Sequence, residues 1–185
     1  MSDDKNMGIY AIMETLRKRK TPVFTTAEIA RAYGTTRACA RVYVKRMLER
    51  ELIFRVAKGI YSLENDPILY ASYVIPNSYI SFNSALYLHG IIDQIPARIS
   101  VAVPKNVKKK VDGVEFAAMP QKAIFGFGKM EYKGYFIWVA EPEKAIADIE
   151  YKYGKADYDA ERIDARKMTA DLKRMRAGKK AEMGS

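Results

Sequence analysis

Between Thr25 and Leu63 the sequence sets out, in order, a capped short helix, a glycine turn, a basic helix and a strand pair. Few folds accept that order. Thr25 and Glu28 stand at capping-box spacing, in which each side chain satisfies a backbone amide left open at a helix start. Ile29 and Tyr33 are expected to point inward, and Gly34 to make the turn. A further helix is predicted over residues 36–51, because steps of about 100° gather Ala40, Tyr43, Val44, Met47 and Leu48 on one side. Leu52, Phe54 and Val56 alternate with Ile53 and Arg55, and residues 60–63 follow a Lys58-Gly59 turn, as a hairpin requires. Together these elements spell a winged helix-turn-helix.

The surface of the basic helix away from its apolar side carries Thr36, Arg37, Ala38, Arg41, Val42, Lys45 and Arg46. Arg37 and Arg41 are the base-reading candidates, since a planar guanidinium can donate twice to guanine O6 and N7. Lys45 and Arg46 are assigned to phosphate. Arg55 on the hairpin and Lys58 at its tip are placed to touch the backbone or an adjacent minor groove. The charge follows this region: residues 1–63 hold thirteen Lys and Arg against six Asp and Glu, while 64–185 hold nineteen against sixteen. A chain with formal charge +10 favours a polyanionic partner. Ahead of the motif, Ile9, Ile12, Met13 and Leu16 predict an amphipathic helix over 7–19. Thr21-Pro22 stops it, and Val23-Phe24 supplies a short strand.

Glu64-Asn65-Asp66-Pro67 is a polar break, so the expected domains are 1–63, a DNA-binding winged helix, and 64–185, a mixed α/β domain with a basic C-terminal helix, to which the family resemblance given next assigns an antitoxin or effector role. The overall class is α+β. In the second part Ser81 is expected to cap a helix over 82–89 that Gly90 stops, followed by strands at Ile99–Val103 and Val114–Ala118. Phe127–Tyr132 and 135–139 flank Lys133-Gly134 as a hairpin, and Pro142 opens a helix with Ala145, Ile146, Ile149 and Tyr153 inward. A last helix over 158–176 carries Ala165, Met168, Leu172 and Met175 in a stripe. That stripe docks on its own domain or, as the alternative, across a homodimer. Lys179-Lys180 onward is expected to fray.

Three segments bring in a family. Thr25-Thr26-Ala27-Glu28-Ile29, Arg41 to Met47 and Lys58-Gly59-Ile60-Tyr61 look like the N-terminal domain of AbiEi-type antitoxins and their transcriptional-regulator relatives. Pro76 to Ser81, Ala85 to Gly90 and Ala140 to Asp148 resemble signatures of that family's C-terminal half. The likeness covers about residues 7–153 and leaves out the tail. It implies an autorepressor of a two-gene operon, bound to double-stranded operator DNA. It further implies a counterpart in a type IV toxin-antitoxin system, a nucleotidyltransferase-like toxin opposed without a stable complex.

Other residues allow other chemistry. The single Cys39 and the single His89 form no zinc-finger set, and neither metal nor cofactor is expected. His89, at a helix end before Gly90, is expected to bond a carbonyl or favour the helix dipole rather than carry protons. Lys105, Lys108, Lys109 and Lys110 form a solvated loop by default, with a secondary nucleic-acid contact as the alternative. Asp112 with Glu131 and Lys133 faintly resembles the acidic-acidic-lysine set of metal-dependent nucleases, which supplies the rival reading of a nuclease targeted by a winged helix. A third reading is a pure protein-interaction module. The expectation is no catalytic residue and no enzyme. No run reaches the roughly 20 apolar residues of a membrane span, and an acidic polar start is unlike a secretion signal, so no membrane partner and a cytoplasmic location are expected.

Overall fold

The computed structural model describes residues 3–154 and 163–177, and the chain is α+β. It divides into two units. The first runs to Tyr70 and includes Glu131–Ile137; the second holds Ala71–Met130 and the chain from Trp138 onward.

In the first unit, helix α1 (Asp3–Arg17) leads to strand β1 (Val23–Thr25), helices α2 (Thr26–Ala32) and α3 (Arg37–Glu49), and strands β2 (Phe54–Ala57) and β3 (Ile60–Ser62). The strands form an antiparallel sheet in the order β1-β3-β2, with Phe24 and Arg55 both opposite Tyr61. Ile9, Ile12, Met13 and Leu16 close over a core of Phe24, Ile29, Ala40, Val44, Met47, Ile53 and Tyr61. A helix too short to be stable alone, such as α2, is held by this packing and by its caps. Thr25 Oγ1 accepts from the Glu28 amide at 3.2 Å while Glu28 Oε2 accepts from the Thr25 amide at 2.8 Å, so the capping box is complete. At the other end Gly34 takes φ +60, a left-handed conformation that costs an L side chain about 1–2 kcal/mol. There the Gly34 and Thr35 amides donate to Arg31 O and Ala30 O, closing a Schellman turn that points the chain into α3. Short α4 (Pro67–Tyr70) ends the segment.

Two local expectations fail here. Tyr33 is 37% exposed, its ring meeting Tyr43 edge-on at 5.9 Å, and Ala30 takes the inward place beside Ile29. The hairpin does not alternate: Ile53 and Val56 are buried, three residues apart, because a bulge between Arg55 and Ala57 inserts one residue against β3.

Most of a mixed sheet belongs to the second unit. Strands β4 (Tyr79–Ile80), β5 (Ile99–Val103), β6 (Val114–Ala118), β7 (Phe127–Tyr132) and β8 (Tyr135–Ala140) lie in the order β6-β5-β4-β8-β7. β5 runs parallel to β6 and antiparallel to β4, and β4 is parallel to β8. Helices α5 (Phe82–Leu88), α6 (Pro142–Tyr153) and α7 (Ala165–Ala177) complete it. α7 packs on α6 and buries Met168, Leu172 and Met175, whereas Ala165 is exposed. Residues 158–162 of the helix expected over 158–176, and Lys179-Lys180, lie outside the described residues. Tyr153, expected inward, is 63% exposed.

Candidate nucleic-acid interface

α3 separates its residues cleanly. Ala40, Val44 and Met47 are buried, with Tyr43 and Leu48 packed partly against the same core. Arg37, Ala38, Arg41, Val42 and Lys45 are exposed, and Val42 shows 49% of its surface. An apolar group with that exposure, flanked by two guanidinium groups, is a surface that can meet both polar and methyl edges. Arg46 is half-buried at the margin. Thr36 is the helix N-cap, its Oγ1 accepting from the Cys39 amide at 3.2 Å, so its hydroxyl already has a structural task.

Charge compensation on this surface is slight. Among the described residues Arg37, Arg41 and Lys58 have no carboxylate partner, and Lys45 reaches Glu49 at 3.7 Å with both side chains largely in solvent. Such a pair is worth little. Arg55 projects from the hairpin with its guanidinium 5.8 Å from the centre of the Tyr61 ring. Lys58 stands exposed at the hairpin turn beside Gly59, which has φ +77. The result is a cluster of cations fixed on one helix and one hairpin, with few anions among them.

The remaining sequence candidates lie elsewhere. Lys105, Lys108, Lys109 and Lys110 are exposed in the second unit, where Lys109 Nζ donates to Val74 O at 3.4 Å. His89 Nε2 donates to Ala140 O at 2.9 Å, the carbonyl bond expected of it. Lys133 Nζ bonds Asp66 Oδ2 at 2.6 Å, which raises the lysine above its ordinary pKa. Asp112 and Glu131 are exposed. Among the described residues no three His, Cys, Asp or Glu side chains gather as a metal site, and no helix is long and apolar enough to cross a membrane.

Sequence reasoning missed a polar network at the heart of the second unit. Lys144 and Asp148, one turn apart on α6, are fully buried and bonded to each other. Tyr79 Oη donates to Asp148 Oδ2 at 3.1 Å, Ser81 Oγ donates to the same oxygen at 2.7 Å, and Lys144 Nζ donates to Tyr79 Oη at 3.0 Å. Ser81 occupies the N-cap position of α5 but makes no side-chain cap bond; its hydroxyl donates to Asp148 instead. Burial pulls the Lys144 pKa down and pushes that of Asp148 up, while each charge opposes the shift of the other. Burial, and then Asp148, push the Tyr79 phenol up, which keeps it a donor. The Phe125 ring lies between two cations, with Lys144 Nζ at 5.0 Å and Arg174 Cζ at 3.9 Å from its centre. All four side chains of the network are buried, so it is closed to solvent. No protein-family model and no curated protein matches the chain.

Proposed function

We propose that this chain is a sequence-specific DNA-binding repressor whose first unit is a winged helix-turn-helix. The observation that carries the reading is the exposed pair Arg37 and Arg41 at the start of α3, without a carboxylate partner among the described residues, on a helix whose other side is locked into a core. In this reading α3 enters the major groove, Arg37 and Arg41 read base edges, Lys45 and Arg46 hold phosphate, and Arg55 and Lys58 make backbone contacts from the hairpin. The resemblance to AbiEi-type antitoxins extends it to autorepression of an operon, opposition to a nucleotidyltransferase-like toxin and a cytoplasmic location.

The test is footprinting of the DNA upstream of the gene with purified protein, followed by affinity against salt. A bounded footprint with a steep fall of affinity as salt rises is expected, since neutralised phosphates release counterions. Uniform binding to all sequences, or a flat salt response, contradicts the reading.

A further inference from the structure

Strand β6 ends the mixed sheet, with β5 on one side and no described strand on the other. Successive residues of a strand turn their main-chain groups to alternate sides. The Ile99 amide donates to Gly113 O and the Met119 amide to Val103 O, both at 2.8 Å, so Gly113, Glu115, Ala117 and Met119 face β5. Val114, Phe116 and Ala118 face away. The Val114 amide turns back to Val111 O at 3.2 Å, and Ala118 O accepts from Lys152 Nζ at 3.0 Å. Val114 O, the amide and carbonyl of Phe116 and the Ala118 amide remain along the edge, without a partner among the described residues.

Beside this edge runs an open groove of about 360 Å³, lined by Val114 and Phe116 together with Arg98, Lys109 and Lys110. Arg98 and Lys110 are exposed and have no carboxylate partner among the described residues, whereas Lys109 is tied to Val74 O. Glu115 is the acidic side chain of the lining, so cations prevail.

Three occupants differ in how they match this edge. A phosphate backbone brings acceptors alone and leaves Val114 O and Phe116 O unmet. A second copy, paired antiparallel about Phe116, sets the Lys152 end of each strand on the Arg98 end of the other, cation against cation. A peptide main chain alternates donors and acceptors as the edge does, and acidic side chains on it answer Arg98 and Lys110.

We propose that β6 is extended by a strand from a partner protein, an acidic segment whose main chain pairs with Phe116 and whose carboxylates meet Arg98 and Lys110. The site lies wholly in the second unit, so the proposal stands or falls apart from the DNA reading.

The probe is a fluorescent peptide of about eight residues alternating glutamate with valine, titrated into the whole protein and followed by anisotropy. Saturable binding that weakens as salt rises is expected. The same peptide with lysine for glutamate, or with its amides methylated, should not bind. Arg98→Gln with Lys110→Gln should weaken the probe roughly tenfold and flatten its salt dependence, and Glu115→Gln should tighten it. These three residues are exposed, so the variants keep the fold. Ala118→Pro removes one edge amide without altering charge, at a position where a strand accepts proline, and should weaken the probe as well. Absence of saturable binding at millimolar peptide, equal binding of the lysine peptide, or unchanged affinity in the Arg98 and Lys110 double variant overturns the proposal. Displacement of the probe by duplex DNA, or a dimer in sedimentation that Ala118→Pro dissolves, overturns it in favour of another occupant.

Discussion

Lys144 donates to Asp148 across one turn of α6 with neither side chain reaching solvent, and Tyr79 and Ser81 both donate to the other carboxylate oxygen. An ion pair removed from water is costly to form and more costly to break, because one partner alone is left as an uncompensated charge. Lys144→Met is therefore expected to lose about 3–5 kcal/mol of stability. Lys144→Met with Asp148→Leu together should cost less than the two single changes summed. Urea unfolding of the four proteins checks this, and strict additivity would show that the two charges do not depend on each other.

On the α3 surface, Arg37→Ala or Arg41→Ala should cost about 1–3 kcal/mol at the cognate site and relax base preference, since each removes a bidentate donor. Lys58→Ala should weaken all duplexes alike. Affinities for cognate and random duplexes separate the roles; equal losses on both in all three variants would contradict them.

Acid should loosen the first unit through Glu28. Burial raises its carboxyl pKa, but hydrogen bonds from Arg19 and Thr25 outweigh burial and leave it below its ordinary value. A group lower in the folded than in the unfolded state contributes stability that is present above the unfolded value and lost as pH falls through the folded one. Stability should thus decline below pH 4.5, the ordinary value, and Glu28→Gln should make that decline shallower. Thermal unfolding across the acid range is the measurement, and an unchanged slope in the variant would count against the carboxylate's part.

Gly126 has φ +67, and a Cβ there would lie 3.0 Å from Lys144 Cγ. Gly126→Ala combines a strained backbone with pressure on the stem of the buried lysine. A loss of about 1–3 kcal/mol is expected. A lowered urea midpoint with an unchanged slope checks it; a midpoint equal to the parent would refute it.

What the sequence made legible was local. The Thr25 and Glu28 cap, the stripe of α1 and the Gly34 turn depend on neighbours a few residues away, and each appears where spacing put it. The carbonyl bond of His89 was legible for the same reason. Lys144 and Asp148 were not, because a lysine four residues before an aspartate has the spacing of a solvated surface pair. Packing of α5, α7, Tyr79 and Phe125 against α6 removes it from water. Ser81 starts α5 where its helix-start preference put it, but its hydroxyl goes to a distant carboxylate instead of the cap, and alternation in β2 was broken by a bulge that depends on β3. The outward set on α3 was legible by periodicity.

Thr25 belongs to two elements at once, closing β1 opposite Ile60 and capping α2 through Glu28. Strand and helix are thereby welded at a single residue, without a linker to absorb displacement. A shear of the small sheet must be transmitted to α2 as motion of its first turn, which makes the two elements one lever.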